Sequence, residues 1–272
     1  MNIHPLVNKK LLREVLFLCL KESGKILRQG FGTVLKVSKK GPVNLVTDID
    51  IASERKIVSI IKEKFPDHRI LTEESNPYES PSKFRWIIDP LDGTTNYAHQ
   101  IPLCCVSIAL EFNGELMLGG IYNPLQNELF FAEKGKGAFL NGKRIQISKT
   151  TKLQESLMVT GFPYDRLEKA EFYLKFFKGM MVRCQGVRRL GAAAIDLAYV
   201  ACGRFDAFWE FNLKPWDVAA GILIVEEAGG KISDFKGLNA ILDSPFQILA
   251  SNGKVHSQIV TAFRPILKLT KK

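Results

Sequence analysis

Apolar residues recur at three- and four-residue spacing through residues 6–29, where Leu12, Val15, Leu16, Cys19, Ile26 and Leu27 mark one face of a helix ending near Gly30 and Gly32. Thr47 followed by Asp50 is a capping-box variant, so a second helix opens there and runs to Phe65, where Pro66 stops it. Residues 69–71 and 85–88 read as short buried strands. Residues 103–133 read as a run of antiparallel strands, with Asn113-Gly114 as a hairpin turn between two of them. Further on, the pattern predicts a strand over 156–161, a helix over 167–177 and a helix over 191–202. It then predicts a strand over 205–211 and a helix over 216–228, closed by Gly229-Gly230. A strand over 246–250 and a helix over 255–267, with Pro265 near its end, complete the series. The two periods interleave along the whole length, which predicts helices layered on sheets with no clear domain boundary. No internal repeat, low-complexity tract or long linker interrupts them.

Composition narrows the class. With 272 residues, 46% hydrophobic and 24% charged, the chain is an ordinary folded one, neither disordered nor collagen-like. The longest apolar runs, 15–20 and 221–225, fall short of the ~20 residues that span a bilayer, so no membrane is expected. The first of them is also too short for a signal-peptide core and lacks a small-residue cleavage site. Five cysteines, with no C-x-x-C spacing, read as reduced buried thiols of a cytoplasmic protein. The net charge of +10 is uneven: residues 1–42 carry +7, residues 254–272 carry +5, and the body between them −2. Basic ends fit a solvated helix face and a soluble tail, a patch for RNA or another acidic partner, or a field that draws in anionic substrates.

The chemistry gathers in one stretch, Trp86-Ile87-Ile88-Asp89-Pro90-Leu91-Asp92-Gly93-Thr94-Thr95-Asn96. A bulky apolar strand runs into an aspartate. Pro90, with no N–H to give, is expected to end the ladder, and Thr94-Thr95 to cap a following helix. Two carboxylates then project from one tight turn beside a helix N-terminus. Carboxylates gather hard cations and helix N-termini attract phosphate, so the pair suggests a metal-assisted phosphate site. Asp-Pro and Asp-Gly also simply mark turns. The balance shifts because Asp48, Asp50, Glu73, Glu74 and Asp217 all stand at element boundaries too, although Asp217 taken singly reads first as a first-turn residue answering the helix dipole.

These residues resemble the inositol monophosphatase family, above all its bacterial members. The family pattern D-P-[IL]-D-G-T-x-N stands as Asp89-Pro90-Leu91-Asp92-Gly93-Thr94-Thr95-Asn96. The second pattern stands as Trp216-Asp217-Val218-Ala219-Ala220, followed by Glu227-Ala228-Gly229-Gly230. Leu45-Val46-Thr47-Asp48-Ile49-Asp50, Glu73-Glu74-Ser75 and Gly135-Lys136-Gly137-Ala138 match in the same order, so the likeness spans nearly the whole chain. It implies an α/β fold, a layered αβαβα sandwich, in a single domain with a metal-site half of about 1–150 and a second half of about 151–272. It also implies a homodimer and Mg²⁺-dependent hydrolysis of phosphate monoesters. The expected substrate is myo-inositol 1-phosphate, or more broadly sugar phosphates including fructose 1,6-bisphosphate. Some bacterial members serve instead as RNA or transcription-complex partners.

Carried over by the resemblance, Glu73, Asp89 and the Leu91 carbonyl hold one Mg²⁺, and Asp89, Asp92 and Asp217 a second. A third, weaker ion leans on Glu73. Gly93 and Thr94 offer N–H groups to the phosphate, Asp50 hydrogen-bonds Thr94, and Thr94 with Glu73 orients the attacking water. Gly191, Ala193 and Glu210, with Asp217, line the polyol side. Water attacks in line with no phosphoenzyme, and the four histidines take no part. Two positions depart from the pattern. Thr72 stands where many members carry Gly, and Ala192 where Ser or Thr is common. The loop over 161–166 is bulky at the expected substrate entrance.

Overall fold

The computed structural model describes residues 8–34, 37–39, 45–238, 242 and 246–269. In chain order the elements are α1 (Lys9–Gly30), β1 (Val37–Lys39), β2 (Leu45–Thr47), α2 (Asp48–Lys64), β3 (Arg69–Thr72), β4 (Phe84–Asp92) and α3 (Thr94–Ala98). Then come β5 (Cys105–Phe112), β6 (Glu115–Asn123), β7 (Glu128–Glu133), β8 (Gly137–Leu140) and β9 (Lys143–Arg144). The second half holds β10 (Leu157–Thr160), α4 (Arg166–Met181), β11 (Gly186–Arg188), α5 (Ala193–Ala201) and β12 (Ala207–Leu213). It ends with α6 (Pro215–Glu227), β13 (Lys231–Ser233), β14 (Phe246–Ser251) and α7 (His256–Leu269).

Two large sheets organise these elements, beside the antiparallel pair β1-β2. The larger has order β3-β4-β5-β6-β7-β8-β9, and the smaller β11-β10-β12-β14-β13. In the larger only β3 and β4 run parallel; in the smaller β10 runs parallel to both β11 and β12. Strand alternation splits the core into layers. Trp86 and Ile88 of β4 face α1 and α2, packing with Leu16, Leu20, Ile57 and Ile61. Ile87, between them, faces the opposite way, onto α5 and α6. Those two helices also take Phe208 and Ile248 of the smaller sheet, and are buried on nearly every side. Ala207 and Trp209 point outward beneath Phe176 of α4 and Phe263 of α7. The order is therefore helix pair, sheet, helix pair, sheet, helix pair, the αβαβα sandwich that the resemblance implied.

Most elements fall where the periodicity puts them. The Thr47 capping box forms: its hydroxyl accepts from Asp50 N while the Asp50 carboxylate accepts from Thr47 N. Asn113 and Gly114 turn the β5–β6 hairpin with φ of 53° and 82°. Gly229, at φ 89°, closes α6. Residues 6–7 of the first expected helix, His4, and the basic tail residues Lys271 and Lys272 lie outside the described residues.

The differences concern the site turn. Pro90 does not end its strand. A bulge between Asp89 and Asp92 absorbs it, and pairing with β5 resumes at Asp92↔Cys105. Thr94 does not cap α3 either: Gly93 is the N-cap, in the left-handed region at φ 87°, and Thr94 is the first helical residue. The helix expected from Gly191 begins at Ala193, because Gly191 is left-handed (φ 92°) and Ala192 extended.

The three described histidines are packed in the fold or exposed. His68 lies stacked between Phe65 and Phe84 and accepts the Trp86 indole N–H at 3.0 Å. His256 is held by Ser233 and Ser251 at 2.8 Å each, and His99 is on the surface. Among the described residues no helix is long and apolar enough to cross a membrane. All five cysteines are free thiols.

Candidate active site

Three segments deliver four acidic side chains to one region. Asp89 and Asp92 come from the bulged end of β4, Glu73 from the turn after β3, and Asp217 from the first turn of α6. Burial is the first cause that raises the carboxyl pKa of Asp89, well above its ordinary value; Glu73, Asp92 and Asp217 raise it further. Asp92 is pushed up to about 7, by burial first and then Glu73, against the hydrogen bonds it accepts from Ala194 N and Ala193 N. Asp217 rises for the same reasons, burial and then Asp92 and Glu73. Each of the three aspartates is thus raised first by burial and then by the charge of its acidic neighbours. Among the described residues no three Asp, Glu, His or Cys side chains already stand at ion-gripping distance.

Hydrogen bonds fix each acid. Asp89 Oδ1 accepts from Leu91 N at 2.9 Å, which closes the bulge around Pro90. Asp92 Oδ2 accepts from Ala194 N at 2.7 Å, tying the turn to the start of α5. Asp217 Oδ2 accepts from Lys214 N at 2.6 Å. Beneath the turn, Ser53 Oγ donates to the Pro90 carbonyl at 2.8 Å. The Glu73 turn is held by buried Glu54, which accepts from Thr72 Oγ1 at 2.5 Å and from Glu74 N at 2.9 Å. Thr72 thus has a use for its hydroxyl where many members carry Gly.

Thr94 Oγ1 stands 3.0 Å from Asp50 Oδ1 and 3.0 Å from the Leu91 carbonyl, so its single proton is shared between them. Asp50 is buried, and that burial raises its pKa against the hydrogen bonds of Thr47 and Thr94. Gly93 is forced by space as well as by φ. A Cβ there would lie 2.8 Å from the Leu103 carbonyl and 3.2 Å from the Ala192 side chain. Ala192 is therefore packed against Gly93, with little room for a larger residue.

The residues expected on the polyol side lie around this turn. Ala193 opens α5 and Gly191 precedes it, with Asn96 and the Arg189 guanidinium pressed against its Cα. Glu210, on β12, is buried, and burial with Asp217 pushes its pKa up to about 8 while Arg189 pulls it down. Three residues absent from the expected set also belong here: Glu54, Asp196 and Tyr164. Asp196, in the first turn of α5, is buried with both carboxyl oxygens lacking a hydrogen-bond partner. The lone acid in an otherwise apolar helix was the signal for Asp196, and the place of Glu54 on the Asp50, Ile57 and Ile61 face of α2 was the signal for it; the bulky 161–166 loop was the signal for Tyr164.

The layered α/β fold thus brings Glu73, Asp89, Asp92 and Asp217 beside a left-handed glycine turn, a set of carboxylate oxygens of the type that hard cations take. The comparisons agree. The model of the inositol monophosphatase family matches residues 8–268. Among similar proteins, an inositol-1-monophosphatase of Synechocystis is 47% identical over 234 residues, 85% of this chain and 81% of that one. The Nus factor SuhB of Pseudomonas aeruginosa is 41% identical over 86% of this chain and 88% of its own. The solved inositol monophosphatase of Anabaena superposes with a TM-score of 0.87 at 40% identity, covering 95% of this chain and 97% of that one. The chain belongs to the inositol monophosphatase family, a family of metal-dependent phosphoric monoester hydrolases.

Proposed function

We propose that the protein hydrolyses phosphate monoesters, myo-inositol 1-phosphate first among them, with two to three Mg²⁺ ions per site, as a single-domain cytoplasmic homodimer. The observation that carries this reading is the gathering of four acids from three separate segments, Asp89 and Asp92 at the end of β4, Glu73 after β3 and Asp217 at the start of α6, with the three aspartates raised by burial and then by their acidic neighbours. The donor set fits the ion. Mg²⁺ takes hard oxygen ligands, and Glu73, Asp89, Asp92, Asp217 and the Leu91 carbonyl offer only oxygen. When bound, Mg²⁺ lowers the pKa of water, clamps phosphate oxygens and stabilises the leaving alkoxide.

The protein's own groups do the rest. The Gly93 and Thr94 N–H groups, at the start of α3, orient the phosphate. Thr94 Oγ1 donates toward Asp50, which leaves its lone pairs to accept the proton of the attacking water, with Asp50 as the onward acceptor. Burial suits Asp50 to this, since a carboxylate of raised pKa is the better base. Glu73 borders the same space and orients the water. On the other side Glu210, Gly191 and Ala193 meet the polyol hydroxyls. With its raised pKa, Glu210 is largely protonated near neutrality and donates a hydrogen bond there.

Substrate preference within the class is tested by kcat/KM on myo-inositol 1-phosphate against fructose 1,6-bisphosphate. The expected ratio favours the inositol ester; a ratio favouring the bisphosphate reassigns the protein as a broader sugar phosphatase. A second role, in a nucleic-acid-containing complex, is favoured by the relative named Nus factor SuhB and by the basic exposed face of α1. That face is partly neutralised: Lys10 pairs with Glu14, Arg13 with Glu133 and Lys25 with Glu22. The hydrolytic reading therefore stands first.

A further inference from the structure

Helix α4 belongs to the outer layer and carries two apolar lines. The inner one, Tyr173, Phe176 and Met180, is buried, and the Phe176 ring meets Phe211, Phe235 and Phe263. The second runs along the outside. Ala170, Leu174, Phe177 and Met181 follow one another at steps of four, three and four residues. Ala170 is exposed, Leu174 is 47% and Met181 53% exposed, and Phe177 is half-buried beside Phe162. Leu167, 79% exposed, adds one more step of three, before an irregular turn at Lys169. Alternating steps of three and four are the repeat by which one helix packs along another.

The charges beside this outer line are sorted. Its solvent flank carries Glu171 and, two turns on, Lys178, both exposed. Among the described residues neither joins an ion pair within the chain, whereas Lys169 is taken up by Asp165 at 2.8 Å. The opposite flank, Tyr173 and Met180, is turned into the core and offers no charge. Two such helices laid antiparallel about an axis near Leu174 bring Glu171 of each toward Lys178 of the other. A parallel pair would set each charge level with its like. The pattern therefore complements itself in one orientation only.

We propose that the outer face of α4 is a self-association surface, on which a second copy of this chain packs its own α4 antiparallel, with Leu174 at the centre and two Glu171–Lys178 pairs at the flank. From Ala170 to Met181 the line is about 17 Å long at 1.5 Å per residue. A seam of that length buries well under the ~800 Å² per partner of a standard stable interface, so the pairing is weak and depends on concentration. It goes beyond the proposed hydrolysis and beyond the homodimer: the step doubles whatever unit the chain forms through its other surfaces.

The test is sedimentation velocity of the full chain across the micromolar range. The wild type is expected to show a mass that doubles as concentration rises. Leu174→Asp buries a charge at the centre of the seam and removes the step. Glu171→Lys sets Lys against Lys178 of the second copy, and because the axis repeats each contact it weakens the step about tenfold. Glu171→Lys combined with Lys178→Glu restores the opposite-charge pairs and with them the wild-type association. Thermal melting followed by circular dichroism shows that each variant is folded. Should Leu174→Asp melt early, the charge variants, which lie at exposed positions, decide alone. A wild-type mass that does not depend on concentration, a folded Leu174→Asp chain that associates as the wild type does, or a double reversal as weak as the single one overturns the proposal, and none of these touches the phosphomonoesterase reading.

Discussion

Asp89→Asn is expected to lower phosphate release by about a thousandfold or more, since it removes charge from the acid that faces the other three. The same change should not unfold the protein. The Asn carbonyl can still accept from Leu91 N, the 2.9 Å bond that closes the bulge. The substitution also relieves repulsion from Glu73, Asp92 and Asp217, so the melting temperature should hold or rise. Loss of activity with retained or increased stability is the signature of a site whose acids are held together for chemistry rather than for folding. A variant of near-normal turnover, or one that loses activity only by unfolding, contradicts that role. Comparison of kcat with thermal unfolding in the same preparation separates the outcomes.

Gly93→Ala should damage both properties. The residue sits at φ 87°, and its missing Cβ would meet the Leu103 carbonyl at 2.8 Å, a backbone atom with little freedom to withdraw. Left-handed strain together with the clash is expected to cost about 2–4 kcal/mol of stability. A turn displaced by even a fraction of an ångström misplaces the phosphate, so kcat/KM should fall by about a hundredfold. Gly114, at φ 82° with nothing within 4 Å, is the comparison. Ala there meets only the backbone strain and leaves catalysis untouched. Denaturant midpoints and kcat/KM of the two variants check both statements. Equal stability costs would mean that the Leu103 contact is unimportant.

The helices and the acids were legible in the sequence because each has a local cause. The α2 cap is written in Thr47 and Asp50. The acids at 89 and 92 follow directly from a bulky strand that ends in turn residues. What escaped depends on distant partners. Pro90 was expected to stop β4, but pairing with β5 resumes beyond it through the bulge, and nothing local announces the register Asp92↔Cys105. The short strands β8, β9, β11 and β13 have only two to four residues each and are defined by their neighbours rather than by their own pattern. Thr94 was expected as a cap because its type favours one. Tertiary contact directs its hydroxyl to Asp50 and Leu91 instead. Glu54 illustrates the same limit: its partners, Thr72 and Glu74, lie 18 and 20 residues away and belong to another element. The order of strands in the smaller sheet, where β14 intervenes between β12 and β13, is likewise set by layer packing and not by any single segment.

The account stands most directly on the divalent-ion dependence of catalysis by the unmodified chain. Phosphate release from myo-inositol 1-phosphate should be measured with Mg²⁺, after chelation with EDTA, and after Mg²⁺ is restored in excess. The acidic pocket predicts hydrolysis that stops on chelation and returns with the ion. An equal rate in EDTA, or no phosphate released from any monoester with Mg²⁺ present, would contradict it.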